Sequence, residues 1–127
     1  MTSSPKYNLE KRLIDFGVLI IKLVDQLPNT KAGNALGSQI VRSGTSPALN
    51  YGEAQSAESR NDFVHKFRIV LKELRETYVC LQLIKGAEIC AENEMLNSLL
   101  HENNELIAIF VKSIETAVKK QVGKSAE

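Results

Sequence analysis

Residues 42–55 read RSGTSPALNYGEAQ, and how they are taken decides the fold. The stretch holds Gly44, Gly52 and Pro47 among short polar side chains, yet helix-forming sequence lies on both sides. Upstream, Leu36, Ile40 and Val41 set a helical face that starts near Thr30. Carrying that helix forward places Gly33, Gly37, Gly44, Ala48 and Gly52 four apart, with one gap of seven. They form a stripe of small residues where two backbones can approach closely. Glycine in a helix interior costs about 1 kcal/mol relative to alanine, so this stripe implies an offsetting packing gain. Pro47 removes a backbone donor and predicts a kink near residues 44–46. The stretch is therefore expected to lie inside a second helix over residues 30–57, either one bent element or two abutting pieces.

The flanking segments repeat one pattern. Leu9, Leu13, Phe16, Ile20, Leu23 and Leu27 are spaced alternately by four and three, which makes a seam along one helix face. Asn8 suits its N-cap and Pro28 its stop, giving a first helix over residues 8–27. Gly17 lies within it as a close-packing point. Phe63, Phe67, Val70, Leu74, Tyr78, Leu81 and Ile84 line a third helix over residues 59–86. Ser59 and Asp62 form an acidic variant of a capping box at its start, and Gly86 is its expected stop. Leu96, Leu99, Leu106, Phe110, Ile114 and Ala117 line a fourth helix over residues 92–121, with Asn103 at one seam position. Glu92, Glu94, Glu102 and Glu105 come early and Lys112, Lys119, Lys120 and Lys124 late, as the helix dipole favours. The final GKSAE is expected to fray. No strand-like alternation or hairpin turn interrupts this pattern. The expected fold is all-α: one antiparallel up-down four-helix bundle spanning residues 1–127, with a kinked second helix.

Composition narrows the chemistry. Sixteen basic and fifteen acidic residues leave a net charge of +1, so attraction to nucleic acid or membrane must come from a local patch. The apolar runs are too short to span a bilayer, and MTSSPKYNLEKR has no apolar leader core. Cys80 and Cys90 show neither CxxC nor zinc spacing and are expected to be reduced thiols. The expected location is cytoplasmic, with no membrane association. Asp62 and His65 have the acid-x-x-His spacing of di-iron bundles, but no second motif accompanies them, so no metal and no cofactor are expected. Residues 33–37 lack the context of a phosphate-binding loop, and two histidines leave little for a catalytic constellation. The chain is not expected to be an enzyme.

The motif residues Arg42-Ser43, Ser46, Asn50 and Glu53 resemble the signature of the bacterial four-helix-bundle family named for proteins encoded in intervening sequences of 23S rRNA genes. The stretch DFVHKFRIVLKELRET is similar to that family's Phe-rich opening and its Lys-Glu-x-x-Glu-Thr run, and Leu27-Pro28 also fits. Ala54 and Cys80 depart from the pattern, where a glycine and an aromatic are common. The resemblance implies a bundle that assembles into a ring, usually of five subunits. It extends to the accessory variability determinant of diversity-generating retroelements, which implies binding to nucleic acid and a reverse transcriptase.

Two sets of residues are candidates for function. Ser43, Ser46, Asn50 and Glu53, with Arg42, form a polar seam that either satisfies the backbone around Pro47 or binds a ligand. The third helix carries six basic residues against three acidic ones, a local excess of three. Arg68, Lys72 and Arg75 share one stripe, with Arg60 and Lys66 nearby, and Lys72 could instead pair with Glu76. Leu49 and Tyr51 are expected to be exposed and to suit an interface between copies. The function expected is an oligomeric scaffold that binds RNA, DNA or a nucleic-acid enzyme; the alternative is a protein–protein adaptor with no nucleic-acid role.

Overall fold

The computed structural model describes residues 9–91 and 93–126, with side chains described as far as Lys120. Four helices account for nearly all of it: α1 (Leu9–Val24), α2 (Lys31–Ala54), α3 (Arg60–Gly86) and α4 (Glu94–Ala126). Among the described residues there is no strand. The expected N-cap at Asn8 lies outside them.

Helix starts follow from short polar side chains. Thr30 Oγ1 accepts the Gly33 amide at 3.0 Å, Ser59 Oγ accepts the Asp62 amide at 3.1 Å, and Asn93 Oδ1 accepts the Leu96 amide at 2.8 Å. Each cap satisfies a donor with no partner inside its helix and contributes about 1 kcal/mol. Two helix ends fall short of the sequence expectation, while α3 ends at Gly86 as expected and α4 runs helical to Ala126, past residue 121 and into the GKSAE stretch expected to fray. After Val24 the chain tightens, with the Gln26 amide bonding to the Leu23 carbonyl and that of Leu27 to Val24, so α1 stops before Leu27. Leu27 precedes a proline, which disfavours helical backbone there. A similar tightening at Ser56 and Ala57 ends α2 at Ala54, not residue 57. After α3, among the described residues, Glu88 has positive φ (53°) while Gly86 does not.

Side-chain ties set the topology. Ser43 and Glu53 of α2 meet Thr77 and Lys66 of α3, so those helices run antiparallel. Phe67 packs on Phe110 while Lys85 bonds to Asn97, which reverses α4 against α3. Arg12 of α1 reaches Glu102 of α4, and Gln26 just after α1 meets Asn93 just before α4, in the same reversed sense. The backbones of α1 and α3 stay apart, as do those of α2 and α4, which meet through side chains such as Tyr51 and Phe110. The result is the expected antiparallel up-down four-helix bundle. Its core is aliphatic, with Leu13, Ile20, Leu74, Leu81, Leu99 and Leu106 among the fully enclosed side chains. Each such side chain contributes about 1.5–3 kcal/mol on burial.

Helix α2 is unbroken through Pro47. The small-residue stripe is where α1 and α2 draw together. A Cβ at Gly44 would lie 2.8 Å from both branches of Ile20, and one at Gly17 would touch the Gly44 carbonyl at 3.6 Å. A Cβ at Gly33 would overlap the Pro28 carbonyl. Gly52 differs, with nothing near its missing side chain. Tyr51 departs from its expected exposure: it is half-buried, with its ring 5.8 Å from Phe67 and edge-on to Phe110 at 6.1 Å. Leu49 is exposed as expected.

Candidate nucleic-acid interface

Arg68, Lys72 and Arg75 are all exposed on the outer side of α3, as their spacing of four and three requires. None of the three makes a hydrogen bond or ion pair among the described residues. In particular, the Lys72–Glu76 pair does not form there; Lys72 and Arg42 act on Glu73 instead, each favouring its ionised carboxylate. Burial and the neighbouring Glu76 still raise the Glu73 carboxyl above its ordinary value. The stripe continues into Val79 and Leu83, 55% and 54% exposed, so α3 presents a basic half and then an apolar half. Arg75, Val79 and Leu83 line a shallow groove with Leu36, Gln39 and Cys80.

The other two candidate cations separate from this stripe. Lys66 is tied to Glu53 of α2 at 3.2 Å and is half-buried, so its charge is already matched. Arg60 stands in the first turn of α3, where it lines a cleft at the end of the bundle.

The polar seam does not converge on one point. Ser43 is fully buried, and its hydroxyl lies 2.9 Å from Thr77 Oγ1. Thr77 Oγ1 also lies 2.8 Å from the Glu73 carbonyl, to which it gives its single proton, leaving it to accept from Ser43. Asn50 donates to both the Ser46 hydroxyl at 2.9 Å and the Ser46 carbonyl at 3.1 Å. Arg42 points outward and bonds to Gln39, while Glu53 reaches sideways to Lys66. Each member is satisfied locally around Pro47, in keeping with the rule that buried polar groups find internal partners. The seam holds α2 to α3.

His65 and Asp62 are exposed and face a surface cleft beside Glu53, Glu58 and Lys66. Among the described residues no group of three His, Cys, Asp or Glu side chains is placed to hold a metal ion. Cys80 is buried and Cys90 half-buried, and both are free. Burial pushes the Cys80 thiol up, and its Sγ lies 3.8 Å from the Leu36 carbonyl.

One structural device was not visible in the sequence. Arg12 of α1 grips Glu102 through two parallel bonds, 2.6 and 3.0 Å, and touches Glu105 at 3.2 Å. The Glu102 hydrogen bond is the main cause of its raised pKa. This bidentate pair clamps α1 to α4, the least extensive of the four helix contacts.

The geometry and the motif residues have a match among known proteins, extending over residues 6–112. The chain belongs to the 23S rRNA-intervening sequence protein family. It is also similar to a crystal structure of a protein of unknown function, from the S23 ribosomal protein family of Bacteroides thetaiotaomicron. The two share 33% identity with a TM-score of 0.76, over 83% of this chain and 96% of that one. No curated protein matches the chain. Membership of the 23S rRNA-intervening sequence protein family accounts for the bundle and for the seam motif that locks α2 to α3. No helix among the described residues is long and apolar enough to cross a membrane.

Proposed function

We propose that this chain is a non-catalytic scaffold of the cytoplasm that associates with copies of itself and binds RNA or DNA through the basic half of α3. One observation carries the reading: Arg68, Lys72 and Arg75 stand in line, exposed and without bonded partners among the described residues. A charged helix face that only solvates a protein is commonly laced with i, i+4 ion pairs, and this stripe has none. Self-association adds to it, because copies around an axis would repeat the stripe and enlarge its field. Five copies is the number that the family resemblance implies. Replacing Arg68, Lys72 and Arg75 by Glu should abolish binding to structured RNA and duplex DNA while leaving the helical circular dichroism unchanged. Unchanged affinity in that variant removes α3 from the account.

A second reading is supported by the apolar half of the same helix. Val79 and Leu83 are exposed beside Leu36, and Ile14, Val18 and Ile21 line the outer side of α1. Such faces suit a protein adaptor. Partner capture that survives nuclease treatment, from a protein that shows no nucleic-acid affinity of its own, would favour it.

A further inference from the structure

The end of the bundle holds a cleft that the charge stripe does not account for. It opens where the last turns of α2, the first turn of α3 and the late part of α4 meet, with a volume of about 390 Å³. Its wall is aromatic. Phe63 and Phe67 lie 4.3 Å apart between ring centres, and Tyr51 flanks Phe67 at 5.8 Å. Phe67 belongs to the buried core, while Phe63 and Tyr51 are only half-buried and line the opening. Its rim is cationic. Arg60 comes from α3, and Lys112 and Lys120 come from α4 two turns apart. All three are exposed, and none has a hydrogen bond or ion pair among the described residues.

Among the described residues lining this cleft there is no carboxylate; Ser113, Thr116 and Gln55 supply the remaining polar groups. Burial, and after it the Glu10 carboxylate, raises the Tyr51 phenol at its edge. The surface cleft at the α2–α3 turn is the opposite case, since Glu53, Glu58 and Asp62 stand there against Lys66 and His65. An aromatic wall under a cationic rim matches a ligand that is a flat ring at one end and a phosphate at the other. A volume near 390 Å³ is within the usual range for small-ligand sites and too small for a duplex.

We propose that this cleft binds one nucleotide of a single strand, its base against Phe63 and Tyr51 and its phosphate within reach of Arg60, Lys112 and Lys120. The proposal rests on the reading that the partner is nucleic acid, but it uses a surface other than the α3 stripe. It divides the work. The stripe attracts the backbone of any nucleic acid, whereas the cleft takes an unstacked base, as single-strand binders do with exposed aromatic side chains. Binding would therefore favour ends and loops over continuous helix.

The test uses a short fluorescein-labelled single-stranded RNA and the same sequence as a duplex, with anisotropy read across a salt series. Phe63→Leu keeps an apolar side chain and removes the ring face. It should weaken single-strand binding by about tenfold and leave duplex binding within about twofold. Lys112→Gln with Lys120→Gln, both on the solvent side, should make the single-strand salt dependence shallower and leave that of the duplex as it was. Single-strand affinity and salt slope that stay unchanged in both variants, each melting like the unaltered protein, would overturn the proposal. If Phe63→Leu does not fold, the lysine pair decides. Duplex binding that depends on Arg68, Lys72 and Arg75, together with a silent cleft, leaves the α3 reading standing and sinks this one; an unaltered protein that binds neither probe sinks both. Displacement of the strand by adenosine monophosphate at the strand's own Kd would replace the strand by a free nucleotide as the ligand.

Discussion

Ser43 of α2 and Thr77 of α3 share a hydrogen bond of 2.9 Å with both side chains fully enclosed. It is the buried tie at the centre of the family's motif. Thr77→Val leaves the Ser43 hydroxyl without that partner and should lower stability by about 1–3 kcal/mol. Adding Ser43→Ala should recover much of the loss, since removing both partners costs less than removing one. Chemical denaturation of the two single variants and the double variant measures the coupling. Strictly additive losses would mean that the pair does not act as a unit.

The glycines of α2 separate by what surrounds them. At Gly33 a Cβ would overlap the Pro28 carbonyl, a backbone atom that cannot swing away. At Gly52 there is open space. Gly33→Ala should therefore destabilise the bundle by about 1–3 kcal/mol through crowding, while Gly52→Ala should stabilise it by about 0.5–1 kcal/mol through backbone entropy. Melting temperatures that move in the same direction for both would contradict this distinction.

Asn103 occupies a core seam position with both amide atoms buried and no hydrogen-bond partner among the described residues. It lies midway along α4 between Asn97 and Phe110, which bond to or pack on Lys85 and Phe67 of α3, so it falls near the level of Thr77. An unsatisfied buried amide costs about 1–3 kcal/mol. Asn103→Leu, of similar size, should raise the melting temperature by several degrees. A lower melting temperature would show that the amide is satisfied in solution.

The thiols should differ in reactivity. Cys80 is enclosed and its thiol is raised by burial, which disfavours the reactive thiolate, whereas Cys90 is half-buried near the α3–α4 turn. Titration of the native protein with a thiol reagent should show one fast group and one that reacts only on unfolding. Mass spectrometry after partial labelling should place the fast label on Cys90; equal labelling of both would contradict the packing around Cys80.

The helices themselves were legible because Leu9, Leu13, Phe16, Ile20 and Leu23 repeat at helical spacing, and their counterparts on α3 and α4 do the same. The cap at Ser59 was legible for a local reason, since a short hydroxyl before an apolar repeat has one geometric use, and Thr30 was legible as the start of its helix though not as the cap. The ends of α1 and α2 were not, because the tightened turns at Gln26–Leu27 and Ser56–Ala57 continue the apolar rhythm after the regular bonding has stopped. The polar seam read as one site because Arg42, Ser43, Ser46, Asn50 and Glu53 are close in sequence. On a helix they fan out towards solvent, α3 and their own backbone. Tyr51 read as exposed for want of any local sign that Phe67 and Phe110 would flank it. Partners drawn from separate helices leave no spacing signal, and Arg12 with Glu102, or Phe63 with Lys112, are of that kind.

The most direct test of the account is the salt dependence of binding to duplex nucleic acid, measured for the unaltered protein and for a variant with Gln at positions 68, 72 and 75. If Arg68, Lys72 and Arg75 contact phosphates, log affinity falls linearly with log salt, and the variant's slope is shallower by about 2–3 for each subunit engaged. Parallel lines for the two proteins, or no binding at low salt, would contradict the claim that the basic half of α3 is the surface this bundle exists to present.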